Sequence, residues 1–370
     1  MSHVRIFCPG PIEVDAEILG VMSAPQRIHY GRPFAELYER IVHGLRPIFG
    51  TEGYVAVLPG CGTLANEMAI RALLDEGETA LIVDSGFYAD RIEQGILGCG
   101  GKAERLRLRE GNPADPTDLE RALEGRKVDL ICIVHVETST GLVNPVGELA
   151  DVARRHGIPV LVDAVASLGA TRCEMDAWGI AIMTSASQKA LEAPPGLGLV
   201  AVSDASWSLI ESKKSPKGLF TDLRYWKNAY DTERDVLPAP VTMPVAVVDA
   251  LEAALTKIHA EGLAERYLRH ERAAVFFRKA MSELGLEIVA KPEAQAANVT
   301  AVRSGGRFRP DELVEFLETR HQLRIATGVG ELQHSVFRVG HMGDNASEEA
   351  LNLVITGIDE FLAGSDSIEQ

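Results

Sequence analysis

Residues 182–203 read IMTSASQKALEAPPGLGLVAVS. The apolar segments on either side, IAIM at 180–183 and LGLVAVS at 197–203, have the length and composition of buried strands. Between them stands one lysine, Lys189, beside the small residues Ser185, Ala186 and Ser187 and ahead of Pro194-Pro195, Gly196 and Gly198. Lysines ordinarily keep their ammonium in water. A lysine held in a partly dry pocket has a depressed pKa, and its neutral fraction is a nucleophile fit for Schiff-base formation. A snorkelling lysine at a strand end is the ordinary alternative. A serine-hydrolase S-x-x-K pattern is excluded, because position 186 is Ala.

Upstream, strand-like runs alternate with helical patterns from about residue 54. YVAVL precedes GTLANEMAIRALL, TALIVD precedes YADRIEQGILGCG, and VDLICIVHV precedes VGELADVARRHG, before PVLVDAV and the two strands flanking Lys189. Short aliphatic strands between amphipathic helices predict an α/β fold with a mostly parallel sheet covered on both faces. Ligands gather at the carboxyl ends of such strands. After residue 205 the chain becomes polar, aromatic and proline-interrupted, and reads as loop-rich. A long helix follows from Pro244 to Arg278, broken near Gly262. The end reads as a smaller α/β unit: LEIVA, NVTAVRS, a helix at PDELVEFLETRH, VFRVG, and a closing helix from Ser347 to Leu362. The expected division is an N-terminal segment at 1–15, a large domain at 16–260 and a small C-terminal domain at 261–370.

Across 370 residues the net charge is −16, which disfavours nucleic-acid and anionic-membrane partners while leaving room for a local basic pocket. MSHVRIFCPGPIEVD meets Pro-Gly-Pro before any apolar run develops, and no run approaches a membrane span, so a cytoplasmic protein is expected. The five widely spaced cysteines, Cys8, Cys61, Cys99, Cys132 and Cys173, read as reduced thiols acting as small buried apolar side chains. They offer no zinc site.

Four strand ends carry candidate chemistry. At YVAVLPGCGTLANEMA a strand runs into Gly60-Cys61-Gly62-Thr63 and opens a helix, a geometry that aims backbone N–H groups at an anion. A ligand-free turn fits the same residues. So does a dinucleotide fingerprint, with Gly60, Gly62 and Ala65 in register and Asp84 as the ribose-binding acid of a dehydrogenase. Asp163 ends an apolar strand, where it caps a helix or meets a cation. Arg338, in FRVGHMG, suits bidentate binding of a carboxylate or phosphonate, or an internal salt bridge. Tyr88 offers a plate for a flat cofactor or a core side chain. His135 reads as a core histidine, and KKSPK at 213–217 as a solvated loop. A phosphate cradle, an aromatic plate, a buried aspartate and a lysine on one sheet point together to pyridoxal 5′-phosphate.

The order PGP, GCGT, GFYADR, HVETSTGLVNP, VDAVASLGA, MDAWGI, SASQKALEAPPGLGLVAVS and FRVGHMG resembles the class V aminotransferases of fold type I, over essentially the whole chain. The branch it most resembles is the alanine–glyoxylate/serine–pyruvate group, with 2-aminoethylphosphonate–pyruvate transaminases as neighbours sharing ETSTG and NP. The resemblance implies a mostly parallel seven-stranded sheet in the large domain. It implies that Lys189 tethers the cofactor and moves the proton, and that Asp163 pairs with the pyridine nitrogen. Val165 and Tyr88 would flank the ring. Gly62, Thr63 and Gln188, with Cys61 beside them, would hold the phosphate, and Ser139 would lie by the 3-hydroxyl. Arg338 would bind the substrate carboxylate, with Gly10 and the rest of CPGPIEV over the entrance. A homodimer is implied, in which a partner threonine completes the phosphate site. Here the corresponding stretch is LPAPVTMP, with Pro238 where the first threonine belongs and Thr242 as the substitute. The expected reaction moves an amino group from alanine or serine to glyoxylate or pyruvate by a ping-pong mechanism, with 2-aminoethylphosphonate as the alternative donor. A cysteine desulfurase is disfavoured, since the last cysteine is Cys173.

Overall fold

The computed structural model describes residues 3–215 and 217–366; Met1, Ser2, Pro216 and 367–370, which fall in the expected N-terminal segment, the KKSPK loop and the C-terminal end, lie outside the described residues. Strand β1 (Arg5–Ile6) is followed by α1 (Ala16–Val21) and α2 (Arg32–Phe49). The alternation then runs β2 (Tyr54–Pro59), α3 (Gly62–Leu73), β3 (Thr79–Asp84), α4 (Tyr88–Gly98), β4 (Lys102–Arg107), α5 (Pro116–Leu123) and β5 (Leu130–Val134). It continues through β6 (Val136–Glu137), β7 (Leu142–Val143), α6 (Val146–Arg155), β8 (Val160–Asp163), α7 (Met175–Trp178), β9 (Ile182–Ala186) and β10 (Leu197–Val202).

Seven of these strands form one sheet in the order β2-β10-β9-β8-β5-β3-β4, parallel except that β10 runs antiparallel to both neighbours. Every residue of β5, β8, β9 and β10 is buried, which explains their unbroken aliphatic character: helices cover both faces and leave no side for polar residues. The α/β expectation holds. The reversal at β10 turns the β9–β10 connection back at the carboxyl edge of the sheet, and Lys189 lies in that connection.

Helices α8 (Trp207–Ser212), α9 (Leu223–Glu233), α10 (Val245–Glu261) and α11 (Leu263–Glu283) lead into the C-terminal strands β11 (Val299–Arg303), β12 (Leu323–Arg324), β13 (Ala326–Thr327) and β14 (Val336–Gly340). Helix α12 (Pro310–Phe316) precedes β12, and α13 (Glu348–Asp366) closes the fold. The break at Gly262 falls where expected, with φ at 84°. A second apolar core gathers Phe277, Met281, Phe337, Val339 and Leu351, and Phe7 from the start of the chain plugs into it. There β1 pairs in parallel with β12.

Four expectations are corrected. The stretch after residue 205 is not mainly loop: α8 and α9 form there, anchored by the fully buried Trp226 and by edge-on contacts of Tyr54 with Trp207 and Tyr230, aromatic packing that leaves no aliphatic periodicity. LEIVA makes no strand; it runs beside β11 with a single bridge, Ile288 to Val302. The KKSPK loop is not simply solvated, because Lys213 and Lys217 are buried and paired with Glu78 and Asp75. Donors from that loop hold the Asp75 carboxyl far below its usual range, against the opposing push of burial. Finally, only Cys132 and Cys173 are buried thiols; Cys61 is exposed, and Cys8 and Cys99 are half-buried. Among the described residues no helix is long and apolar enough to cross a membrane.

Candidate active site

A cavity of about 300 Å³ opens at the carboxyl edge of the sheet. Five connections build it: Cys61, Gly62 and Thr63 after β2, Phe87 and Tyr88 after β3, Val134, Val136 and Thr138 at and after β5, Asp163, Val165 and Ala166 at β8, and Gln188 and Lys189 after β9. Gly10 from the N-terminal segment forms part of its lining.

Lys189 is only 8% exposed. Its Nζ donates to the carbonyl of Pro9. Burial, reinforced by the Arg338 guanidinium and only partly offset by Asp163, brings its pKa down to about 8. The segment that covers it has no room for a side chain. A β-carbon on Gly10, whose φ is 110°, would stand 2.6 Å from Nζ and 2.3 Å from Cδ. Asp163 accepts from the backbone N–H of Val165 at 2.9 Å and from the amide of Asn66 at 2.7 Å. Burial nevertheless pushes its pKa up.

The cradle after β2 is equally tight. A β-carbon on Gly62 would meet Val165 Cγ2 at 2.6 Å, so the helix start and Val165 are in close apposition only because position 62 has no side chain. Helix α3 has no side-chain cap, leaving its first backbone N–H groups without a side-chain acceptor. Gln188 Oε1 and Thr138 Oγ1 are buried without a hydrogen-bond partner.

Of the predicted site residues, Gly10, Cys61, Gly62, Thr63, Tyr88, Asp163, Val165, Gln188 and Lys189 meet in this cavity. Three do not line it. The Ser139 hydroxyl donates to Glu137 at 2.6 Å and accepts from the Phe87 N–H at 3.2 Å; its neighbour Thr138 lines the cavity instead. Arg338 sits behind the wall, donating to the carbonyls of Thr327 at 2.9 Å and Thr138 at 3.3 Å. Thr242 is exposed and apart from the cavity. The Asp84 of the dehydrogenase reading lies in an adjacent cavity, paired with Arg105 at 3.1 Å. His135 is a core residue: its Nδ1 faces the Cys173 thiol at 3.7 Å and its ring stands edge-on to Trp178.

Two further groups were not singled out in the sequence. Glu137, fully buried, accepts from the backbone N–H groups of Tyr88 at 3.0 Å and Ser139 at 2.8 Å, and so fixes the turn that carries the aromatic plate. Asn66 lines the cavity from α3.

The sequence profile of the class-V aminotransferases matches residues 22–342. The chain belongs to this family. An uncharacterized aminotransferase of Methanocaldococcus jannaschii is 31% identical, with 94% of this chain and 89% of that protein aligned. The alanine–glyoxylate aminotransferase of Mus musculus is 29% identical over 96% of this chain and 86% of its own. The crystal structure of alanine–glyoxylate aminotransferase from Nostoc sp. superimposes with a TM-score of 0.93 at 26% identity, covering 98% and 96% of the two chains.

This aminotransferase therefore works with pyridoxal 5′-phosphate. The residues fit it: a depressed lysine, a carboxylate fixed on one strand end, an uncapped helix start for a phosphate, and two buried side-chain oxygens awaiting partners. The enzyme secures these parts from below through Arg266. That guanidinium, 1% exposed, donates to the carbonyls of Gly169 and Ala190 at 2.7 Å each and pairs with Glu192 and Glu261. Ala190 follows the lysine directly, and Glu192 is held at φ 61°.

Proposed function

We propose that this aminotransferase carries an amino group from alanine or serine to glyoxylate or pyruvate in two half-reactions that share one site. Bound pyridoxal phosphate supplies the carbonyl that takes over the donor's nitrogen and the ring that draws electrons from the reacting carbon. The chain's own residues do the rest. Lys189 Nζ, its pKa brought down to about 8, takes the α-proton of the donor and later returns a proton to the acceptor carbon. Asp163 holds the proton on the ring nitrogen. The start of α3 with Gly62, Thr63 and Gln188 binds the phosphate, and Tyr88 and Val165 bracket the ring. Arg338, held behind the wall by the Thr138 carbonyl, would turn its guanidinium into the cavity to bind the substrate carboxylate, with the N-terminal segment shielding the site from water. A homodimer, with Thr242 reaching the neighbouring phosphate, completes this reading.

The observation that carries it is the buried, pKa-depressed Lys189 opening on the same cavity as Asp163. The names of the mouse and Nostoc relatives support a small donor and glyoxylate as acceptor. The test is a panel of alanine, serine and 2-aminoethylphosphonate, scored by loss of the visible band of bound cofactor and by its return with glyoxylate or pyruvate. Alanine or serine is expected to discharge the band, and Lys189→Ala to abolish turnover. Discharge by 2-aminoethylphosphonate alone would replace the proposed donor, and normal turnover by the lysine variant would end the assignment.

A further inference from the structure

Asn66 is a polar residue on a helix face that otherwise buries Ala65, Met68, Ala69, Ile70 and Leu73. An amide in that setting destabilises by about 1–3 kcal/mol unless its groups are bonded. Both ends are. Its Nδ2 donates to Asp163 Oδ2 at 2.7 Å, and its Oδ1 accepts from the hydroxyl of Thr184, which is wholly buried on β9.

We propose that Asn66 is a positioning residue that holds the Asp163 carboxylate in its ionised form, and that Thr184 sets the direction of its amide. The proposal rests on the reading that Asp163 pairs with the pyridine nitrogen. An ionised carboxylate only accepts, so Asn66 must present its N–H groups to Asp163; a protonated carboxyl could be met by either end of the amide. Thr184 biases that choice by donating to Oδ1; the alternative, in which it donates to the Val162 carbonyl at 3.3 Å and accepts from a turned amide, uses the longer of its two contacts. The relay thus favours one protonation state of the group it touches.

The charges around Asp163 leave it in need of such a device. Burial pushes its pKa up. Lys189 opposes this, but it is itself desolvated and faces Arg338, while Glu137, buried on β6, adds a like charge. The His135 ring is turned away toward Cys173 and Trp178. Among the described residues the directed donors to the carboxylate are the Val165 N–H and the Asn66 amide, of which the second is a side chain.

The test uses pyridoxamine phosphate, which forms no bond to Lys189, titrated into the apoprotein across pH. Asn66→Leu is expected to move the acid midpoint of binding upward by about one pH unit, a tenfold weaker affinity at a fixed pH on that limb. Thr184→Val should move it the same way by less, and adding it to Asn66→Leu should change nothing more. Asp163→Asn, as reference, should remove the part of the acid limb that the carboxylate contributes and leave the one from the ligand's own phosphate. Melting of each apoprotein checks folding, and Asn66→Ser serves if the leucine variant is unstable. Wild-type midpoints in the Asn66 and Thr184 variants, with the carboxylate's part of the limb lost in Asp163→Asn, overturn the relay. An acid limb in Asp163→Asn that coincides with the wild-type one overturns both the relay and the reading beneath it.

Discussion

At the scale of single residues, Lys189 makes the strongest claim on stability. Its folded pKa of about 8 lies below the ordinary 10.5. Its burial therefore carries no charge penalty above the ordinary value, and the penalty grows as pH falls toward 8 and is complete below it. A shift of this size corresponds to roughly 3 kcal/mol. Urea unfolding of the apoprotein should find Lys189→Met more stable relative to wild type at pH 7 than at pH 10, by about that amount; an unchanged gap would show that the lysine is not desolvated. Lys189, Asp163 and Gly62 could be singled out in the sequence because each stands at or just past the end of an aliphatic strand that fixes where it emerges, whereas Gln188 came only with the family resemblance. The choice between Thr138 and Ser139 could not be made, since ETSTG lies in a turn whose facing depends on Glu137, and a buried glutamate has no periodic signature. Asn66 did leave a trace, a lone amide on an apolar helical face.

At the scale of elements, the strands were plain because a sheet covered on both faces demands uninterrupted aliphatic runs. Strand β4 was not: KAERLR lies at the sheet's edge, only partly buried, where charged side chains discourage pairing with another chain. Helix α11 hides its most consequential residue among other polar ones. Arg266 ties the Gly169 turn after β8 to the Ala190 carbonyl after β9, and through Glu261 it joins Arg269, which holds the carbonyls of Gly343 and Ala346. Arg266→Met leaves Glu192 buried without its cation, a loss expected to destabilise by about 3–5 kcal/mol in denaturant unfolding. Arg266→Met combined with Glu192→Gln should recover part of this. Additive losses would mean that the pair does not act as a unit.

At the scale of the whole molecule, the order of elements was readable from pattern, whereas the closure of the site by CPGPIEV came only with the family resemblance, because a two-residue strand and a Pro-Gly step have no pattern of their own. The N-terminal segment reaches across the chain: β1 pairs with β12, Phe7 fills the second core, and Pro9 and Gly10 lie against Lys189. Deleting residues 1–10 should therefore admit water to the lysine and raise its pKa from about 8 toward 10.5. Borohydride trapping of pyridoxal phosphate across pH reads this as an upward shift of the midpoint, whereas an unmoved midpoint would assign the depression to the sheet alone. The same reach bears on synthesis. Arg5 leaves the ribosome long before its partner Leu323, so the roof of the pocket waits for the C-terminal strands to be made. A nascent enzyme carries its nucleophile uncovered until Leu323 has emerged, and vitamin capture in its sheltered form waits for that strand.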